Sequence, residues 1–181
     1  QLDVARTPEV QLSRVQGVTA LGPLVPGGRA RVLVELHPWE GAPTERLLDV
    51  RVPAGLPRGR YQLVAASPKE ARTLEREGGL VAAPVSYEAW LTAQREAPRD
   101  GDLSLYLVSE TPGFALDGQG LPALPASLVG VLEGGGGVKG TFLEQRVVRL
   151  ERVDVGGVLA GRARARVELA LDRSSFFEAR R

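Results

Sequence analysis

The chain of 181 residues contains no cysteine and no methionine, and it has one histidine. The lack of cysteine excludes disulfide frameworks, thiolate zinc sites and cysteine nucleophiles together. With His37 as the sole imidazole, any two-histidine metal site is excluded, and a Ser-His-Asp arrangement could form only around that residue. No Gly-x-Ser-x-Gly elbow accompanies it. An excess of charge of one sign is missing too: 23 basic residues face 22 acidic ones, so no overall field draws the molecule to nucleic acid or an anionic membrane. Lysine is scarce, at Lys69 and Lys139 alone; the arginine bias fits a GC-rich genome as well as it fits a role. No run approaches the roughly 20 apolar residues that cross a bilayer, and no signal-like segment opens the chain. Because Gln1 is not a translation start, a fragment or processed product is expected.

What is present is period-2 hydrophobicity. Val10 to Leu21 reads as a lead-in strand. In Arg29–His37, Ala30, Val32, Val34 and Leu36 alternate with Arg29, Arg31, Leu33 and Glu35, the pattern of a strand with one buried face. Leu48, Val50 and Val52 repeat it after the Pro- and Gly-bearing loop from His37 to Thr44, so a hairpin is expected. Tyr61, Leu63 and Ala65 suggest a third strand. Ser67-Pro68-Lys69-Glu70 has the form of a capping box with proline at the first helical position, ended by Gly78 or Gly79. A second helix runs from Ser86 to about Ala97, with Tyr87, Trp90, Leu91 and Gln94 on one face and Pro98 as its stop.

Leu103, Leu105 and Leu107 belong to a strand covered on both faces. Phe114 to Leu116 is a short extended piece closed by Asp117-Gly118. Leu121 to Leu132 reads as a proline-broken loop with one or two helical turns. Near the end, Phe142–Val155 and Val158–Leu171 flank Gly156-Gly157, which suits a hairpin turn. The tail after Asp172 is polar. With no fixed repeat and no βαβ alternation, the expected fold is mainly β: one domain over residues 1–181, an antiparallel β-sandwich or partly open barrel. It would carry a helical insertion at about 67–97 and a terminal hairpin at about 142–171.

Candidate chemistry is sparse. Gly134 to Gly137 followed by Lys139 lacks the spacing of a phosphate-binding loop and reads as a flexible loop. Asp100 with Asp102, and Glu45 with Asp49, are close only in sequence. Arg162, Arg164 and Arg166 share one strand face, with Glu144, Glu151 and Asp154 expected as cross-strand partners. No aromatic residue interleaves with them, which argues against single-stranded nucleic acid. Trp39, Trp90, Tyr87 and Tyr106 could line a sugar-binding surface, although core or cover is commoner. The candidate interaction surface is therefore Arg162, Arg164, Arg166, Trp39 and His37; no catalytic residue, cofactor or metal ligand is assigned.

Three segments carry a resemblance: PGGRARVLVELHPWEG (Pro26 to Gly41), DVRVPAGLPRGRYQLVAAS (Asp49 to Ser67) and DLSLYLVSETPGFALDGQGLPALPASLVGVLE (Asp102 to Glu133). Together they resemble the C-terminal region of exported bacterial proteins whose N-terminal part is a SpoIVB-type serine peptidase domain. The resemblance implies an extracytoplasmic accessory region, at the periplasm or cell surface; the strong β patterning and the lack of a convergent catalytic set point to a non-catalytic module that contacts a protein partner or the rest of its parent chain. The alternative is a structural subunit of a bacterial surface layer or filament, for which self-assembly would be expected. A hydrolase built on His37 is the third reading.

Overall fold

The computed structural model describes residues 11–81, 84, 86–109, 113–116, 119–121, 140–143 and 145–169. The strands are β1 (Leu12–Ala20), β2 (Arg29–Pro38), β3 (Thr44–Arg51), β4 (Gly59–Ala66), β5 (Asp102–Ser109), β6 (Gly113–Leu116), β7 (Gln119–Leu121), β8 (Gly140–Leu143), β9 (Arg146–Asp154), β10 (Val158–Ala160) and β11 (Arg162–Leu169). Two helices, α1 (Pro68–Glu77) and α2 (Tyr87–Glu96), fall between β4 and β5, where the helical insertion was expected. One sheet runs β10-β1-β2-β3 and a second β11-β4-β5-β9; a small third sheet runs β7-β6-β8. The molecule is mainly β, consistent with a sandwich that does not close into a barrel.

The alternation read from sequence is what builds the interior. Ala30, Val32, Val34 and Leu36 of β2 are buried, and so are Tyr61, Leu63 and Ala65 of β4. They meet Val15, Val18, Val50, Leu103, Leu105 and Leu107 in one core between the two large sheets. Arg29 to Leu36 pair with Arg51 to Thr44, so the β2–β3 hairpin forms as expected. Tyr61 also donates its hydroxyl to the Pro57 carbonyl at 2.7 Å, tying the preceding loop to the start of β4.

β5 is buried on both faces because α1 lies across the outside of the second sheet. There Ala71 and Leu74 of α1 pack on Val64, Ala66, Tyr106, Val108 and Val147 as a second, smaller core.

Two expectations are corrected. Gly156 and Gly157 do adopt positive φ, at 80° and 71°, but they do not close a hairpin. β9 pairs antiparallel with β5, and β11 pairs antiparallel with β4, which places them at opposite edges of the same sheet. Between them the chain adds β10 in parallel to β1 of the other sheet, then turns at Gly161 (φ 78°) to enter β11. Pairing β11 with β4 rather than β9 is favoured because β4, buried on both faces, would otherwise be left as an open edge.

The second correction concerns the start of α1. Ser67 is the N-cap residue and Pro68 follows it, yet the Ser67 side chain makes no cap hydrogen bond. The backbone N–H of Ser67 donates to the Gly161 carbonyl at 3.0 Å, and Glu70 turns to Arg162, so the reciprocal box is not made. Asp117-Gly118, Gly134 to Gly137, the polar tail after Asp172 and most of Leu121 to Leu132 lie outside the described residues.

Candidate functional site

The polar chemistry of the described residues converges on α1. Its sequence, PKEARTLERE, sets Ala71, Leu74 and Glu75 toward the sheet and Lys69, Arg72, Thr73 and Arg76 away from it. An acidic side chain on the buried face must find partners or lose far more in desolvation than burial returns. Glu75 finds three. Its Oε1 accepts from the Tyr106 hydroxyl at 2.9 Å, from Arg149 Nη1 at 3.1 Å and from Arg152 Nη2 at 3.1 Å. Burial first, and the neighbouring Glu75 charge second, push the Tyr106 hydroxyl well above the ordinary tyrosine range, so it stays a neutral donor.

The same arginine reaches further. Arg152 Nη1 donates to the Glu96 carbonyl at 2.6 Å, at the end of α2, where helix carbonyls lack internal partners. Arg72 on α1 donates Nη2 to the Pro98 carbonyl at 2.7 Å. Two guanidinium groups therefore hold the exit of α2, one from β9 and one from α1. Glu75 is committed to three donors inside this cluster, an arrangement that anchors a helix rather than one that exchanges protons with a substrate.

On the far side of α1 a groove of about 320 Å³ is lined by Pro68, Lys69, Arg72, Thr73, Arg76, Asp100 and Leu159. One wall is the helix, bearing three cations. The other is formed by Asp100, from the turn before β5, and Leu159 of β10, whose N–H donates to the Asp100 carbonyl at 3.0 Å.

The residues singled out from sequence divide between two sheets. Arg162, Arg164 and Arg166 are exposed along β11. Of their expected partners Glu144 lies outside the described residues, and Glu151 and Asp154 on β9 are corrected by the topology: the facing strand is β4, with Arg162 opposite Ala66, Arg164 opposite Val64 and Arg166 opposite Gln62. Arg162 Nη1 instead pairs with Glu70 of α1 at 3.4 Å. His37 is exposed on β2 opposite Arg14 of β1, and Trp39 just beyond it is 82% exposed. His37 thus belongs to the first sheet and the three arginines to the edge strand of the second. Of the other aromatic residues, Tyr106 is core, whereas Tyr87 and Trp90 are exposed on α2 and stack at 6.0 Å between centroids.

Sequence reading missed Glu75 and the groove cations. The spacing of Lys69, Arg72 and Arg76, by three and four residues, was a readable sign of one cationic helix face. Among the described residues no cluster of three or more potential metal ligands occurs, and no helix is long and apolar enough to cross a membrane. No family model, curated protein or solved structure matches the chain.

Proposed function

We propose that this chain is a non-catalytic interaction module of a larger exported bacterial protein, and that it contacts the remainder of that protein through α2. The observation that carries this reading is the state of α2 itself. A ten-residue helix is too short to be stable alone, and α2 buries no side chain in the sandwich. It carries a stacked Tyr87–Trp90 pair, 73% and 45% exposed, with Leu80 and Val81 exposed in the segment leading to it. Exposed, stacked aromatic residues are the kind of anchor that protein interfaces use. The resemblance of the three turn-and-strand segments supports the exported setting.

Two measurements test the reading. The gene encoding the chain is expected to carry an export signal and a further domain in the same reading frame; a stand-alone frame with neither overturns the setting. The rest of that parent protein, added in trans to this chain, is expected to shift Trp90 emission to the blue and slow amide exchange across α2. Tyr87→Ala with Trp90→Ala should abolish binding. A complex that forms with α2 unchanged would refute the assignment of the surface.

A further inference from the structure

The groove beside α1 has the composition of a small-ligand site. Lys69, Arg72 and Arg76 share one helix face, and two of the three acidic residues of α1 are engaged elsewhere, Glu70 with Arg162 and Glu75 with Arg149 and Arg152, while the third, Glu77, does not line the groove. Among the described residues no ion pair is made by Lys69, Arg72, Arg76 or Asp100. An ordinary solvated charged face would be convex and its side chains mobile. Here the cations line a concavity, and Arg72 is fixed by its bond to the Pro98 carbonyl, which leaves its remaining N–H donors oriented. A concave, one-signed wall backed by low-dielectric protein concentrates anions. Asp100 breaks that sign on the other wall, where a purely anionic ligand would be repelled.

We propose that this groove binds a small ligand carrying an oxyanion, phosphate or carboxylate, and a nearby amino group. Lys69, Arg72 and Arg76 take the oxyanion, and Asp100 takes the ammonium. The volume, about 320 Å³, lies at the lower end of small-molecule sites and suits a compact zwitterion rather than a nucleotide. Pro68 and Leu159 supply the apolar lining that raises the worth of each charged contact. This inference is independent of the α2 contact.

The test is a titration of the whole isotope-labelled chain with phosphoethanolamine, β-alanine and inorganic phosphate, read by amide chemical shifts. Saturable shifts confined to residues 68–76, 99–101 and 158–160 are expected with one or both zwitterions, and which of the two binds tells whether phosphate or carboxylate is the preferred oxyanion. Lys69→Gln with Arg76→Gln should weaken binding about tenfold at unchanged thermal stability, while Arg164→Gln and Arg166→Gln together leave it intact. Asp100→Asn spares the backbone bond to Leu159, so it isolates the carboxylate. It should weaken the zwitterion about fivefold and leave inorganic phosphate unchanged or tighter. Absence of saturation by either zwitterion up to about 20 mM, or shifts centred on the β11 arginines, overturns the site. Equal loss of zwitterion and inorganic phosphate in Asp100→Asn overturns the role given to Asp100.

Discussion

The two helices have the same length and the same N-cap residue type, yet they stand in opposite relations to the fold. α1 makes no side-chain cap bond but buries Ala71, Leu74 and Glu75. In α2 the Ser86 Oγ accepts the Ala89 N–H at 3.1 Å, a well-formed cap, and yet no side chain is buried. Good local chemistry thus does not decide which helix is part of the core. Tertiary packing does, and where packing is strong the cap can be dispensed with. One consequence is that Ser67 Oγ sits buried without a hydrogen-bond partner, a polar atom the fold tolerates because the surrounding contacts outweigh it.

The largest expected effect separates the helices by their buried surface. Leu74→Ala should destabilise the domain by about 3 kcal/mol through lost burial and the cavity left behind, whereas Leu91→Ala on α2 should cost well under about 1 kcal/mol; chemical denaturation of the two variants measures the gap. Equal losses would place α2 in the cooperative unit after all.

Next comes the carboxylate anchor. Glu75→Gln leaves Arg152 with an uncompensated charge in a largely buried place, and a loss of about 2–3 kcal/mol is expected, again by denaturation. Exchange of α2 amides should quicken in the same variant, because Arg152 also holds the Glu96 carbonyl. An α2 unaffected by Glu75→Gln would mean that the two helices are not linked through this arginine.

A smaller effect concerns alkaline pH. Tyr106 has its folded pKa raised above the ordinary value of 10.0. The stability linked to its protonated hydroxyl is therefore complete below that pH and drains away as pH rises past it. Tyr106→Phe should cost about 1–2 kcal/mol at neutral pH, through the lost bond to Glu75, and that deficit should shrink above pH about 10. Melting temperatures of both proteins between neutral pH and pH about 11 would show it; a constant offset would contradict the coupling.

The smallest and most diagnostic pair has opposite signs. Ser86→Ala should fray α2 by about 0.5–1 kcal/mol, visible in amide exchange with little change in melting temperature. Ser67→Ala should be neutral or slightly stabilising, since it removes a buried oxygen that makes no bond. Should Ser67→Ala destabilise as a lost cap does, the contrast drawn between the helices would be wrong.

Much of this architecture was legible in the sequence, for definite reasons. Alternation along β2, β3 and β4 reports directly which side chains enter the core, and Pro68, Gly79 and Pro98 mark helix limits by backbone chemistry alone. The terminal hairpin was misread because its two local signals were both genuine. Gly156 and Gly157 do take positive φ, and the odd-numbered apolar series keeps its parity across Gly161, from Leu159 to Ala163 and on to Leu169. It continues because β10 and β11 wrap the same core from two sheets, so one parity serves both. Gly161 was the discordant residue, and its meaning depends on partners some hundred positions earlier. The candidate site was far less visible. Glu75 looks like any surface glutamate in sequence; only the crossing of α1 over β5 and β9 brings Tyr106, Arg149 and Arg152 to it.

The passage at Gly161 also sets the timing of assembly on the ribosome. Until residues 162–169 have been made, β4 has β5 on one side and nothing on the other, though it was synthesised a full hundred residues before its partner. The second sheet cannot be completed as the chain emerges, and the nascent protein carries an unsealed strand that invites pairing with neighbours. Closure of the second sheet is therefore a late event, made by β11, the last of the described strands.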